Sequence, residues 1–489
     1  MARASLWSGF ALAGILLVPM MSPAAGPTGV AVAARGAAAF DAWSDGATLR
    51  LDYDHVGTAQ EERLALDGLR REGPWPGSRV NLVDPLDLGP YRFEVRDRAT
   101  NVVLYAQGFA SIYGEWETTD EARSVRRSFH ESVRLPFPRR PVQVCLLKRS
   151  PDNAFHEISS FLVDPTAQDI RREALGTRGR VWTIFENGSP ESKIDLLILG
   201  DGYTAEQLPA FHEDARRLVE VLFSTPPFRE RRKDFNVRAI DTPAEDSGVS
   251  RPSDGVYRRT ALGASYDIFG SERYVLTCDN AALRETAAQA PYEFIEILVN
   301  GEKYGGGGIY NLMATCSTKS GSTPYVFVHE FGHHFAALAD EYYTSDVAYG
   351  TSAPIVEPWE PNITALLEPS ALKWNDLVDA KTPVPTPWAK DEYEKFSAGI
   401  QARRRALRAG HAPEAQMDSL FREELAWGRP FLAGQEYGAK VGAFEGAGYR
   451  ARGLYRSSTD CIMFTRNRER FCPVCSRAIE RVIDWQIGR

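Results

Sequence analysis

The chain has 489 residues, of which 43% are hydrophobic and 25% charged, and a formal net charge of −8. That composition is ordinary for a soluble folded protein, and the length predicts two or three domains of about 150 residues each. The negative balance offers no electrostatic footprint for nucleic acid. The one dense basic run, Arg403, Arg404, Arg405 and Arg408, reads as the solvated face of a helix.

At the N-terminus, Arg3 precedes an apolar stretch from Leu6 to Met21 and the small-residue run Ser22-Pro23-Ala24-Ala25-Gly26. This is the order of a secretory signal peptide, taken as residues 1–25. The apolar run is short for a membrane helix of about 20 residues, and no other segment is long and apolar enough to span. No Cys ends the apolar run, so no lipid anchor is expected. The mature chain is therefore expected to begin between Gly26 and Arg35, to have no membrane span, and to be secreted or held at the cell envelope.

Residues 38–165 alternate β-type runs with turn residues. The runs are Thr48 to Tyr53, Tyr91 to Val95, Val102 to Tyr105 and Val142 to Leu147, separated by Gly73-Pro74 and Gly89-Pro90. This pattern predicts an all-β sandwich, read as a structural or substrate-docking module. The polar residues 166–193 read as a linker. From residue 194 the pattern changes, and 194–489 form the second domain. Ile194 to Leu199 is nearly continuously apolar, as a strand buried on both faces requires. A helix over Glu206 to Phe223, a strand over Phe235 to Ile240, a helix over Ala281 to Ala290 and a strand over Phe294 to Val299 follow, which is an α/β layered arrangement. Gly305 to Gly308 read as a flexible turn opening a strand over Ile309 to Thr315. The alternative is a strand edge that a substrate backbone approaches closely.

The segment 329–343, HEFGHHFAALADEYY, carries the chemistry. His329, Glu330 and His333 form H-E-x-x-H. Four residues of helix turn the chain slightly more than once, so both imidazoles project from one face and can share a Zn²⁺. Glu330 leaves the helix beside them, placed to take a proton from the attacking water. Pro324, with Ser322 and Thr323, marks the helix start, and Tyr325 to Val328, Phe331, Phe335 and Leu338 supply its apolar lining. Of eight histidines, three fall within residues 329–334. Cys461, Cys472 and Cys475 cluster near the C-terminus. A disulfide with a spare thiol is the favoured reading, because three ligands do not close a structural zinc site.

Further motifs appear in order: LILGDGYTAEQL (197–208), SGVSRP (247–252), YGGGGIYN (304–311), EPWEPNIT (357–364), KWNDLV (373–378), PVPTPW (383–388), VGAFEGAGY (441–449), LYR (454–456) and CIM…FCPVC (461–475). With the metal motif they make the chain resemble the IgA peptidase family of zinc metallopeptidases over nearly its whole length. The resemblance implies an N-terminal β-domain joined to an α/β, zincin-like metallopeptidase domain. Members typically carry Ser and Gly where this chain has His334 and Ala337. Losing that Gly weakens the expectation of a helix break there, and His334, about 100° round from His333, reads as a packing or polar residue.

Catalytic zinc usually has three protein ligands and an open position. On an unbroken helix Asp340 would lie about 10 Å beyond His333, so it closes the site only if the chain turns back after Ala337 or Leu338. Asp340 is the chosen third ligand, with Glu341 and Glu445 as alternatives, and an outer orienting role for Asp340 and Glu341 as the competing reading. Met463 is a candidate floor of the site, as the Met-turn is in metzincins, with ordinary core packing as the alternative. Tyr449, Tyr342 and Tyr343 are candidate donors to the transition-state oxyanion. The reading that results is an exported zinc endopeptidase acting on a protein or peptide, with Glu330 as general base for a metal-activated water. The alternatives are a binding or adhesion protein with an idle metal site, and a zinc hydrolase of a non-peptide bond.

Overall fold

The computed structural model describes residues 37–345 and 354–489, so the signal-peptide reading lies outside the described residues. Seven strands build the first half: β1 (Ser44–Gly57), β2 (Glu62–Pro74), β3 (Tyr91–Asp97), β4 (Val103–Phe109), β5 (Arg127–Pro138), β6 (Val142–Arg149) and β7 (Phe155–Val163). They form two antiparallel sheets, ordered β2-β1-β5 and β4-β3-β6-β7. Alternation explains the pairing of faces. Tyr91, Phe93 and Val95 of β3 point inward between partly exposed neighbours, as a half-solvated sheet requires. Leu49 and Leu51 meet Val133, Leu135, Val144 and Leu146 in the core between the sheets. The expected sandwich is observed.

The second half is built on β8 (Arg180–Phe185), β9 (Ile194–Asp201), β10 (Phe235–Asp241), β11 (Phe294–Val299), β12 (Gly306–Ile309) and β13 (Met313–Ser317). They form one mixed sheet in the order β12-β13-β11-β9-β10-β8. The four central strands run parallel, and β12 and β8 lie antiparallel on the edges. Every residue of β9, β10 and β11 is buried. Two expectations need correction. The segment read as a linker contains β8, whose Val181 and Thr183 pair with Ile240 and Arg238; its charges lie on an exposed edge and so conceal a strand. The single strand expected over Ile309 to Thr315 is a hairpin, β12 and β13, turning at Tyr310 to Leu312.

Helices Leu208–Ser224 and Thr323–Ala336 pack near this sheet, and a final helix, Pro473–Gln486, packs on the second of them. A small sheet of β14 (Ile363–Thr364), β15 (Phe444–Ala447) and β16 (Arg450–Arg456) lies beyond, in the order β14-β16-β15. The two halves are fastened directly. Ala110 N–H donates to Tyr310 O at 2.9 Å, Asn311 Nδ2 to Gly108 O at 2.7 Å, and the Arg134 guanidinium lies 3.7 Å over the Tyr292 ring. Among the described residues, no helix is long and apolar enough to cross a membrane.

Candidate metal centre

The helix Thr323–Ala336 starts at Pro324, whose missing N–H costs nothing in a first turn. Its approach to the sheet explains the glycines before it. A Cβ on Gly306 would lie 2.7 Å from Val326 Cγ1, and one on Gly308 would collide with the Glu330 carbonyl. These glycines form edge strand β12 and let the helix lie directly on it, so the flexible-turn reading is corrected. His334 completes the seam. Ile309 O can only accept, so His334 Nδ1 carries the proton and donates to it at 2.9 Å, while Nε2 accepts from Ile295 N–H at 3.1 Å. Burial pushes His334 down to about 3 and keeps it neutral. It is a packing residue, as its angle round the helix implied.

The helix ends where the reading required an end. Ala337 adopts the left-handed conformation, φ 53° and ψ 33°, and Leu338 N–H reaches back to Gly332 O at 3.4 Å. This is the closure that Gly normally performs, here made by Ala. The turn sends Ala339 to Tyr342 back past the histidines. Asn362 holds this segment: its Oδ1 accepts from Ala339 N–H at 2.8 Å, and its Nδ2 donates to Ala339 O at 2.9 Å. On the other side Gly448 N–H donates to Asp340 O at 3.0 Å, and Tyr449 N–H to Tyr342 O at 3.1 Å.

Three ligand atoms meet as a result. Asp340 Oδ1 lies 3.0 Å from His329 Nε2 and 3.3 Å from His333 Nε2, and the two Nε2 atoms are 3.2 Å apart. A tetrahedral ion with bonds of about 2.0–2.1 Å would place its ligand atoms about 3.3 Å apart. The far side of each ring is fixed by carbonyls: His329 Nδ1 donates to Ile462 O at 3.0 Å, and His333 Nδ1 to Leu338 O. Both Nε2 atoms are thereby turned inward. Asp340 Oδ1 is buried, with no polar partner other than the two imidazoles. Burial would raise the Asp340 carboxyl, but His333 and His329 hold it well below its ordinary value. Reciprocally, Asp340 lifts His333 to about 9 against the penalty of burial. The pocket therefore demands a positive charge. A proton serves two of the three inward atoms; a metal ion serves all three, and the residues fit one.

Glu330 stands beside the cluster on a cleft of about 670 Å³, which His329, His333, Asp340, Tyr342 and Tyr449 also line. Burial raises its carboxyl above the ordinary value, with His329 and His333 pulling the other way. The match of the family model described as IgA Peptidase M64 extends over residues 183–483, more than half of the chain, and that of Peptidase M64 N-terminus over residues 39–160. The chain belongs to the M64 peptidase family. M64 peptidases are metallopeptidases, and in this member the cluster just described is a group with suitable ligand chemistry. Comparison with curated proteins gives no match.

Not every residue singled out in this M64 peptidase reaches the centre. Glu445 sits on β15, where Lys390 Nζ lies 3.0 Å from its Oε2 and Gly453 N–H donates to its Oε1 at 3.2 Å; it is not a ligand. Glu341 follows Asp340 but points away, 3.2 Å from Cys475 Sγ. Tyr343 is buried among Tyr393 and Phe464, off the cleft. Tyr449 donates its hydroxyl to Asp340 Oδ2, so it orients that carboxylate. Met463 is fully buried, its sulfur against Gly332 of the metal helix, and its carbonyl accepts from Glu341 N–H at 2.8 Å. The favoured disulfide is overturned, since all six cysteines are free. Sequence reasoning missed Asn362 and Arg273. Arg273 lines the cleft and donates to the Tyr342 hydroxyl at 3.3 Å. Neither falls at a spacing that marks it; Asn362 lies inside a family motif, which was the available signal.

Proposed function

We propose that this M64 peptidase is an exported, zinc-dependent endopeptidase that hydrolyses peptide bonds with Glu330 as general base. The convergence of His329 Nε2, His333 Nε2 and Asp340 Oδ1, with Glu330 beside them on an open cleft, carries this reading. When bound there, Zn²⁺ polarises the scissile carbonyl and acidifies the attacking water. Glu330, whose carboxyl is raised by burial, accepts the proton of that water and delivers it to the leaving amine. Tyr342 keeps its phenol protonated, since burial outweighs the pull of Arg273. Its hydroxyl, already accepting from Arg273, is left to donate to the carbonyl oxygen as negative charge develops. Gly306 of β12 is already bridged to the Arg273–Val275 segment, which leaves the Gly308 end of this edge, beside the helix, for an extended peptide to align with. The same features support a zincin-like description of the domain: the helix carrying His329 and His333 packs on a sheet whose edge strand runs antiparallel.

The test is cleavage of a diverse peptide library by the purified chain, before and after chelation and again after Zn²⁺ is restored. Loss and recovery of internal cleavages is the expected result. An apo protein that cleaves as fast as the restored one would refute the metal role, and hydrolysis confined to esters would refute the peptidase reading. Export rests on residues 1–25. N-terminal sequencing of protein from the medium or envelope should find a start between Gly26 and Arg35.

A further inference from the structure

The other face of the ligand segment carries a second constellation. Cys461 lies two residues before Met463, and Cys472 and Cys475 open the final helix Pro473–Gln486. Glu341 completes the group, and the four ligand atoms all lie within 4.8 Å of one another. All four side chains are at least 98% buried.

The distances are those of ligands around a point. Cys461 Sγ and Cys475 Sγ are 3.7 Å apart. A disulfide would need about 2.05 Å, whereas a tetrahedral Zn²⁺ with bonds of about 2.3 Å separates its sulfurs by about 3.8 Å. Glu341 Oε1 lies 3.2 Å from Cys475 Sγ and 3.9 Å from Cys472 Sγ, on either side of the about 3.5 Å that a sulfur and an oxygen ligand would show. The surroundings suit thiolates. Cys461 Sγ accepts from Cys472 N–H at 3.2 Å and Met463 N–H at 3.5 Å, and Cys472 Sγ from Cys475 N–H at 3.4 Å. Ser457 Oγ lies 3.2 Å from Cys472 Sγ. Glu341 Oε2 is buried with no hydrogen-bond partner, although Asn362 Nδ2 donates to its Oε1 at 3.1 Å. An isolated carboxylate sealed among thiols is a poor arrangement unless a cation neutralises it.

We propose that Glu341, Cys461, Cys472 and Cys475 hold a second, structural Zn²⁺, separate from the one at His329, His333 and Asp340. The fourth ligand missing from the cysteine pattern is supplied by the residue after Asp340. On binding, each thiol that becomes a thiolate gives its proton to solvent. The four protein ligands leave no open position, so the ion is structural rather than catalytic. Excess negative charge is offset by Arg456, whose buried guanidinium acts on Glu341. The site would clamp three elements that also serve the first centre. These are the Asp340–Glu341 segment, the Cys461–Met463 loop whose Ile462 carbonyl orients His329, and the start of the final helix.

The experiment is metal analysis of the full chain purified with Zn²⁺ under reducing conditions. Two zinc ions per chain are expected for wild type, and one for the His329→Ala, His333→Ala double variant. Replacing the remaining ion in that variant with Co²⁺ should give intense near-ultraviolet thiolate-to-metal absorption. Cys472→Ser with Cys475→Ser should abolish that absorption; should this variant not fold, the histidine variant alone decides. A histidine variant free of metal, or Co²⁺ absorption without the thiolate band, would overturn the site. So would an intact-mass measurement of unreduced wild type showing a disulfide within the cluster. None of these outcomes bears on whether the first centre hydrolyses peptides, so the two readings fail separately.

Discussion

Glu330 and Asp340 sit ten residues apart and present different problems. Glu330 was legible because a residue next to His329 on a helix must leave on a neighbouring face. Glu330→Gln keeps the shape and loses the basic oxygen. It should retain the metal while hydrolysis falls on the order of 10²–10⁴-fold, and a metal-replete variant with more than half of wild-type turnover would remove Glu330 from the reaction. Asp340 was legible as one of three acids, and its selection depended on a turn. Asp340→Ala should lower metal affinity by more than the about 10–100-fold typical of an orienting residue. Glu445→Ala, which breaks an ion pair with Lys390, should leave metal affinity unchanged. Chelator competition on both variants measures the difference.

At the scale of elements, the metal helix shows how a local rule is overridden. Ala337 occupies a left-handed position that costs an L-residue about 1–2 kcal/mol. Ala337→Gly relieves that strain, but removes a buried methyl worth about 0.8 kcal/mol and adds about 0.4–1 kcal/mol of unfolded-chain entropy. The terms nearly cancel, and chemical denaturation should find the variant within about 1 kcal/mol of wild type. This balance is why Ala can stand at a left-handed position that ordinarily favours Gly. Ala337→Val has no such compensation; it should destabilise by about 1–3 kcal/mol and weaken metal binding by displacing Asp340. In the β-sandwich, His55 is wedged between Glu131 and Glu62, each 3.0 Å away. Burial opposes its charge, yet the two carboxylates raise it to about 9. The folded value exceeds the unfolded one of about 6.5, so this stabilisation is complete below about pH 6.5 and is lost as pH rises through about 9. The shift is on the order of 3 kcal/mol. Urea denaturation at pH 6 and pH 9.5 should show the advantage of wild type over His55→Gln shrinking at the higher pH. An advantage that grows with pH would reverse the sign assigned to His55.

For the whole molecule, the sandwich is part of the cleft rather than an appendage. Pro90, Thr118, Arg149 and Asn153 line it together with residues of the metal helix, and Asn153 Nδ2 donates to Glu357 O at 2.9 Å. The sequence left a structural and a docking role open for this domain, and gave no sign that it lines the cleft. Thr118 is exposed on that lining. Thr118→Trp should raise KM for long peptides several-fold with kcat nearly unchanged, since it alters binding remote from the reacting bond. Steady-state kinetics with short and long substrates checks this, and an equal loss of kcat on both would refute it.

The sequence by itself determined what depends on nearest neighbours and short periods. His329, Glu330 and His333 share a helix, where 3.6 residues per turn decides their faces. The run Ile194 to Leu199 is a buried strand because no residue in it except Asp195 prefers water. The sandwich follows from alternation. Tertiary structure alone decided which acid joins the histidines, because Asn362 acts across 23 residues and Tyr449 across 109 to hold the returning chain. It also decided that Glu341 faces the cysteines and that Glu445 faces Lys390. Adjacent acids have the same local propensity. Only the packing of distant segments, which no short spacing encodes, gives Asp340 to one cluster and Glu341 to another.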